Sequence, residues 1–187
     1  MIRTFAVLTA AIGFANAGVI DFETAPSSFT SLTQDGATLT AQGGNTIRVS
    51  NQNALGGLVA LEDAPRTGYR LSFASPVDGT VSADLGDFGQ DEDTLRLELF
   101  DSSDMLISFD VEVLAAGVTG MLTVSATGMN IAYALFTSGG DFPNTVYIDN
   151  ITFPSSTAPV PVPAAAPLFA AALAGAGALR RKAKKSA

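Results

Sequence analysis

The chain has 187 residues, with no cysteine, histidine or tryptophan, and 18 acidic residues against 10 basic ones. These counts exclude disulfides, Ser-His and Cys-His nucleophiles, and zinc sites built on nitrogen or sulfur ligands. Six of the ten basic residues lie in the first three or the last eight positions, so the rest of the chain carries four arginines and a net charge of −14. Nucleic acid is excluded as a partner, because so few cations cannot neutralise phosphates.

The first 17 residues have the three parts of a secretory signal peptide. Arg3 is positive, residues 5–14 are uncharged, and Ala15-Asn16-Ala17 places small residues where signal peptidase needs them, just before Gly18. The apolar stretch is too short for a permanent membrane span. We therefore expect an N-terminal signal helix, passage through the general export machinery, and cleavage at the site formed by Ala15, Ala17 and Gly18.

Residues 18–154 are predicted to form one all-β domain, long enough to bury a core. Short apolar runs are separated by Gly, Asn, Asp, Ser and Pro, which is typical of strands and turns, and no long segment has a helical period. Residues 51–67 are predicted to form a long loop. The predicted strands are residues 19–23, 37–40, 46–50, 69–73, 80–85, 94–100, 106–113, 121–125, 131–137 and 146–153.

Strict alternation in two segments predicts strands with one buried face. Leu95, Leu97 and Leu99 alternate with polar residues, and the same pattern is repeated by Ile107, Phe109, Val111 and Val113. About ten short strands favour two antiparallel sheets packed face to face, a β-sandwich of jelly-roll type. An immunoglobulin-like sandwich is the alternative, although its Cys and Trp core residues are absent.

Acidic residues are concentrated in one short stretch, which contains Asp84, Asp87, Asp91, Glu92 and Asp93. Carboxylates held close together repel one another and gain by binding a hard cation, so Ca²⁺ is the candidate cofactor and Asp84, Asp87, Asp91 and Asp93 are candidate ligands. The spacing does not fit the helical calcium-loop pattern. The alternative is a mobile hairpin loop whose charge keeps a sheet edge soluble.

The last 28 residues have the order of a sorting signal. A stiff motif, Val160-Pro161-Val162-Pro163-Ala164, follows a linker that begins at residue 155, and an uncharged stretch continues to Leu179. If wholly helical, residues 164–179 would reach about 24 Å, short of a bilayer core of about 30 Å, which favours a transient hydrophobic anchor helix. A basic tail that would stay in the cytoplasm closes the chain: Arg180, Arg181, Lys182, Lys184 and Lys185.

This tripartite end resembles the VPLPA-type branch of the PEP-CTERM tails of exported proteins in Gram-negative bacteria, with Val162 in place of Leu. The resemblance implies that an exosortase-type enzyme recognises the proline motif and removes the anchor. It also implies transient inner-membrane attachment, followed by release to the cell surface or an exopolysaccharide matrix.

The two ends of the domain resemble the first and last strands of jelly-roll, galactose-binding-like modules of secreted carbohydrate-binding proteins. The similar segments are residues 19–23, Val-Ile-Asp-Phe-Glu, and residues 146–153, Val-Tyr-Ile-Asp-Asn-Ile-Thr-Phe. The resemblance implies that Glu23 and Asp149 share a structural calcium ion.

The function expected from the sequence is a structural or adhesive protein of the cell surface or exopolysaccharide matrix, and not an enzyme. A first alternative is a carbohydrate-binding module with a specific ligand, for which Phe88 and the three tyrosines are candidate sugar platforms. A second is a small glycosidase or lyase that uses a pair of carboxylates. Exposed aromatic residues clustered on a loop rim would favour the first alternative over the matrix role.

Overall fold

The computed structural model describes residues 17–89 and 91–155. Most of the signal peptide, including Ala15, lies outside the described residues, as do the sorting motif, the anchor and the basic tail, so these remain predictions. Ala17 and Gly18 are the first two residues of the first strand. No helix within the described part of the chain has both the length and the apolar character needed to cross a membrane.

Strands account for nearly all of the regular structure in the described ranges, with one short 3₁₀ helix at Asn53–Leu55. The strands are β1 (Ala17–Ile20), β2 (Ser28–Phe29), β3 (Ser31–Gln34), β4 (Ala37–Ala41), β5 (Ile47–Gln52), β6 (Gly57–Glu62), β7 (Tyr69–Asp87), β8 (Asp93–Phe100), β9 (Leu106–Leu114), β10 (Gly120–Gly139) and β11 (Tyr147–Pro154).

All eleven strands of the described residues are hydrogen bonded into one continuous sheet, which folds over into the two layers of a sandwich, called the first and second sheets below. The long strands β7 and β10 pair with each other and belong to both. Their register shifts between Gly128 and Tyr133, and such irregularities bend a strand pair. The first sheet has the order β3-β4-β7-β10-β8-β9 and uses the first half of β7 and the second half of β10. The second has the order β2-β5-β6-β11-β7-β10 and uses the other halves, with β1 on β11.

One hydrophobic core lies between the sheets. In the first sheet, Leu39, Leu71, Ala134 and Leu99 lie opposite one another on four adjacent strands, and all are 0% exposed. Ala60, Ile148 and Leu85 form the corresponding row in the second. Burying each large aliphatic side chain contributes about 1.5–3 kcal/mol. The predicted antiparallel, jelly-roll-like β-sandwich is confirmed.

Two predictions about strands were wrong in their extent. The four strands predicted at 69–73, 80–85, 121–125 and 131–137 are halves of the two continuous strands β7 and β10. The loop predicted for 51–67 contains the end of β5, the 3₁₀ helix and the whole of β6. Gly56 and Gly57 suggested a loop, but their positive φ angles, 106° and 143°, turn the chain directly into β6.

The prediction that β9 buries its apolar row was wrong for Phe109, Val111 and Val113, whereas Ile107 is partly buried against the core. Phe109 is 56% exposed and Val113 is 52% exposed, whereas Leu95, Leu97 and Leu99 on β8 are 0% exposed, as predicted. The register gives the reason: Phe109 pairs with Glu98 and Val111 pairs with Arg96. Directly opposed residues share a face, so Phe109, Val111 and Val113 lie on the same outer face as the polar row of β8.

Candidate metal centre and adjoining cleft

Three carboxylates meet where the chain crosses between the two sheets. Asp87 is the last residue of β7, in the second sheet, and Asp93 is the first residue of β8, in the first sheet. Carboxylate oxygens of Asp87, Asp91 and Asp93 all lie within 4.8 Å of one another. In the described ranges, this is the one group of three or more acidic side chains that approach so closely. Three of the four acids predicted from the sequence stretch are thus adjacent in space.

Asp93 is the unusual member of this acidic triad. Its side chain is 0% exposed, and neither of its oxygens accepts a hydrogen bond from an N–H or O–H donor of the described residues. The Asp87 carboxylate is close enough to share a proton with it. The other two acids accept backbone hydrogen bonds: Oδ1 of Asp87 accepts one from Gly89 N at 2.6 Å, and Oδ2 of Asp91 accepts one from Asp141 N at 2.9 Å. Uncompensated burial of a charged group is costly, so Asp93 requires a compensating partner.

The electrostatic surroundings of the acidic triad are negative. Burial raises the pKa of the Asp93 carboxyl to about 7, and repulsion from Asp87 and Asp91 adds to this effect. The salt bridges found in the described part of the chain lie elsewhere, between Arg48 and Asp63 and between Arg96 and Glu98. Among side chains, only an arginine could have formed an ion pair with the acidic triad, because the chain has no histidine and its lysines all lie at positions 182–185.

The remaining predicted ligands form a separate group on β7, β11 and the residues after β1. Asp84 pairs in register with Asp149, and its carboxylate accepts hydrogen bonds from Thr123 Oγ1 at 2.5 Å and Asn150 Nδ2 at 2.9 Å. Burial raises the pKa of Asp149 to about 6, and the charges of Asp84, Asp21 and Glu23 contribute. Asp84, Asp149 and Glu23 do not approach one another as closely as the acidic triad does.

A cleft of about 390 Å³ adjoins the acidic triad and presents three aromatic rings. Phe88 is 40% exposed and Phe142 is 58% exposed, and the Phe88 ring meets the half-buried Tyr147 ring edge-on at 5.8 Å. Its size is within the usual range of ligand sites, about 300–1,000 Å³. The lining residues are Leu61, Arg66, Asp87, Phe88, Asp91, Phe142, Thr145 and Tyr147.

A second cleft, of about 400 Å³, continues the first. The two share Leu61, Arg66 and Tyr147, and the second extends to Ser28 and Arg48 on β2 and β5. Together they form a groove beside β6 and β11 that we call the aromatic groove. Arg66 lies at its middle, where its Nε donates a hydrogen bond to the Glu62 carbonyl at 3.0 Å.

Of the three candidate tyrosines, only Tyr147 lines the aromatic groove. Tyr69 is 1% exposed, and its hydroxyl donates to the backbone of β6 or of Val146. Tyr133 is 7% exposed, because Phe100 stacks on it at 5.0 Å and the Arg70 guanidinium lies 3.6 Å from its ring centroid. Neither ring has a face free for a sugar.

Phe142 and Arg66 were missed by sequence reasoning. The available signal for Phe142 was an aromatic residue between Asp141 and Pro143 in a Gly-rich turn, where no core position is expected. Arg66 carried no comparable signal, because it lay within the segment predicted to be a loop.

Comparisons with protein-family models and with curated proteins find no match to this chain. Solved structures are similar at low identity. A DUF4465 family protein from Bacteroides caccae has 10% identity and a TM-score of 0.46, over 74% of this chain and 99% of that one. The K1 cleaved adhesin domain of Lys-gingipain from Porphyromonas gingivalis has 11% identity and a TM-score of 0.42, over 73% and 96%.

The CBM22-1 and GH10 modules of a xylanase from Clostridium thermocellum, solved in complex with xylohexaose, have 16% identity and a TM-score of 0.40. That similarity covers 67% of this chain and 27% of the xylanase chain. Similarity at this level says nothing about the ligand or activity of the present chain.

Proposed function

We propose that this domain is a non-catalytic module that binds a neutral polysaccharide and so acts as an adhesive component outside the cell. The observation that carries the proposal is the cluster of Phe88, Phe142 and Tyr147 around one cleft. Aromatic rings present flat apolar faces to the C–H faces of sugars, and neighbouring polar side chains orient the hydroxyls. Arg66, Thr145 and Asp91 provide such polar groups.

An extended ligand suits the groove better than a single sugar. The two clefts share three residues and continue from Phe142 to Arg48, so successive units of a polymer can occupy them in turn. A neutral polymer suits the charge, because residues 18–154 carry a net charge of −14 and repel polyanions at low ionic strength.

The alternative of a structural protein without a ligand explains less. Such a protein has no need for three aromatic side chains around a cleft, two of them at least 40% exposed. Aromatic surface left in water forgoes the free energy of burial. These three rings, unlike the exposed Phe109 ring on β9, gather around one cleft, where a ligand can cover them.

The carboxylate-dependent enzyme has one observation in its favour, the raised pKa of Asp93 beside Asp87. A general acid must touch the oxygen that it protonates. Both oxygens of Asp93 are buried, so a substrate in the cleft has no access to them. Absence of reducing-sugar release from the neutral polymers named below would agree with the binding proposal.

We also propose that the N-terminal and C-terminal segments of the chain direct its export, its transient anchoring in the membrane and its delivery to the cell surface. The support is the order of the charged residues, the proline motif and the apolar stretches along the chain. The test is the intact mass of protein recovered from its own cell surface. A mass lacking residues 1–17 and part of the C-terminal tail is expected, and the full mass of 187 residues would contradict the proposal.

The binding proposal is tested by affinity electrophoresis of the full chain through gels that contain soluble xylan, hydroxyethyl cellulose or galactomannan. At least one neutral polymer is expected to retard the protein, whereas carboxymethyl cellulose, an anionic counterpart of the second polymer, should not. Phe142→Ala and Phe88→Ala should weaken binding at least tenfold.

Phe109→Ala is the matched control, because Phe109 is 56% exposed on β9 and does not line the cleft. Its affinity should stay within twofold of the wild-type value. Failure of all three neutral polymers to retard the protein, or weakening by Phe109→Ala alone, would contradict the proposal.

A further inference from the structure

We propose that Asp87, Asp91 and Asp93 bind one divalent cation, Ca²⁺ by the chemistry of its ligands, and that this ion holds the aromatic groove in its binding conformation. The second half of this inference rests on the proposed function, whereas the first half does not.

The first step is the unmet requirement of Asp93. Both of its oxygens are buried and unpartnered within residues 17–89 and 91–155, and its closest charged neighbours are two further carboxylates. Ionised carboxylates only accept hydrogen bonds, so the acidic triad cannot satisfy itself. Either a cation or a shared proton must lie among these oxygens. The segments around the triad supply no lysine, histidine or arginine in an ion pair with it.

The second step is the identity of the ion. The ligands are all carboxylate oxygens, and the chain has no cysteine or histidine, which disfavours zinc, copper and iron. Ca²⁺ accepts six to eight oxygens at about 2.3–2.6 Å in flexible geometry, so three carboxylates and several waters suffice. Mg²⁺ demands near-octahedral geometry and releases its water reluctantly, so the partly buried triad favours Ca²⁺.

The third step is the position of the acidic triad between two chain crossings. The segment from Asp87 to Asp93 passes from the second sheet to the first, and the segment after Gly139 passes from β10, in the first sheet, to β11, in the second. Oδ2 of Asp91 joins them, because it accepts hydrogen bonds from the backbone N–H groups of Asp141 and Phe142 at 2.9 and 3.3 Å.

The two crossings are also in direct backbone contact. A Cβ atom at Gly140, where φ is 139°, would lie 2.6 Å from the carbonyl oxygen of Glu92 and 2.9 Å from Oδ2 of Asp91. Only glycine permits this approach. An ion bound to Asp91 therefore acts on both segments, because this contact and the Asp91 hydrogen bonds join them.

The final step connects the ion to the aromatic groove. Phe88 directly follows Asp87, and the backbone N–H of Phe142 donates to Asp91. The two most exposed rings of the cleft are thus each one short connection from a proposed ligand. Without the ion, repulsion among the three carboxylates favours spreading of the crossing that runs from Asp87 to Asp93. Phe88 lies on this crossing, and Phe142 is hydrogen bonded to it through Asp91, so both rings move with it.

Cation binding is tested by isothermal titration calorimetry of CaCl₂ into the chelator-treated full chain, with no polysaccharide present. Wild-type protein should bind one Ca²⁺, and MgCl₂ should bind at least tenfold more weakly. Asp93→Asn and Asp87→Asn should each weaken Ca²⁺ binding at least tenfold. Asp84→Asn is the control, because Asp84 lies nearby in the sequence but is hydrogen bonded to Thr123 and Asn150, and its affinity should stay within twofold.

Absence of Ca²⁺ binding, or an equal loss in Asp84→Asn, would overturn the cation site, and the shared proton would then be the correct account. Circular dichroism of each variant verifies that a loss of binding is not a loss of folding.

Coupling is tested by repeating the affinity gels in 1 mM-scale Ca²⁺ and in chelator. The wild-type protein should bind its neutral polymer at least fivefold more weakly in chelator, and Asp93→Asn should bind equally weakly in both. Retardation that ignores calcium would overturn the coupling while leaving the proposed function intact. Calcium binding without retardation by any polymer would refute the proposed function and leave the cation site intact.

Discussion

Two buried carboxylates of this domain, Glu62 and Asp93, have opposite surroundings. Glu62 is 1% exposed, and its oxygens accept four hydrogen bonds, from Asn45 Nδ2 at 2.8 Å, Thr67 Oγ1 at 2.9 Å, Thr67 N at 2.7 Å and Gly68 N at 2.9 Å. Asp93 is 0% exposed and has no such partner in the described residues, only two further acids.

The hydrogen-bond partners of a buried carboxylate indicate whether its charge is compensated within the protein or by a bound ligand. Protein N–H and O–H groups compensate the Glu62 charge, so Glu62 needs no ligand. Its hydrogen bonds connect β6 to the segment that leads into β7. The charged neighbours of Asp93 are both negative, so the three carboxylates destabilise the fold unless a cation or a proton binds among them. The contrast therefore points to an external ligand at one site and to none at the other.

The largest effect is expected when Glu62 loses its carboxylate. Glu62→Ala removes the acceptor of the buried Gly68 N–H and of the two part-buried Thr67 donors, whereas Asn45 Nδ2 keeps its hydrogen bond to the Pro65 carbonyl. Each buried unsatisfied donor costs about 1–3 kcal/mol, and partly exposed donors cost less. We expect the free energy of unfolding to fall by about 3 kcal/mol, measured by urea denaturation, with no dependence on calcium. Glu98→Ala is the control, because its ion pair with Arg96 lies nearer the surface and is worth at most about 1 kcal/mol. Equal losses of unfolding free energy in Glu62→Ala and Glu98→Ala would contradict the structural role of the Glu62 hydrogen bonds.

Asp93→Asn should raise the free energy of unfolding in chelator, whereas Glu62→Ala lowers it. The substitution removes a buried charge and supplies donors to Asp87 and Asp91, so we expect stability at neutral pH to rise by about 2 kcal/mol. Added calcium should raise the melting temperature of the wild-type protein and leave that of the variant unchanged. A loss of stability in chelator would mean that Asp93 already has a compensating partner within the protein.

The surroundings of Asp149 are intermediate between those of Glu62 and Asp93. Substitution of Asp149 should give the smallest change in the free energy of unfolding, about 1 kcal/mol. Burial raises its pKa to about 6 in the folded protein, above the ordinary value for Asp, so folding favours its protonated form. The stability that protonation provides is present at pH 4 and is lost as the pH rises through 6. In chelator, Asp149→Asn should therefore stabilise the protein at pH 7 and have little effect at pH 4, as measured by urea denaturation.

Asp84→Asn is the comparison for this test, because Asp84 accepts hydrogen bonds from Thr123 and Asn150, and disturbing them should be destabilising. If instead Asp149→Asn lowers stability at pH 7 and abolishes a calcium response, the ion shared by Glu23 and Asp149, as the galactose-binding-like resemblance implies, would be the correct site.

Sequence reasoning succeeded where a pattern depends only on local periodicity. Leu95, Leu97 and Leu99 alternate and are buried, and the all-β class follows from many such runs. It failed for Phe109, Val111 and Val113, which have the same pattern but lie on the outer face. Alternation identifies two faces of a strand, but which face is buried depends on register with the neighbouring strand.

The candidate site was predictable in part for a similar reason. Acids close in sequence, such as Asp91 and Asp93, must be close in space, so the acidic triad was within reach. The cleft was not, because Leu61, Phe142 and Tyr147 are far apart along the chain and meet only through the pairing of β6 with β11 and the crossing after β10. The contrast between Asp84 and Asp93 was also hidden, since it depends on which residues donate to each.

The most direct test of the cation site is the anomalous scattering from crystals of the protein grown with CaCl₂. We predict one peak within about 2.6 Å of oxygen atoms from Asp87, Asp91 and Asp93. A map with no peak at these carboxylates, or with its peak beside Asp84, Glu23 and Asp149, would contradict the account.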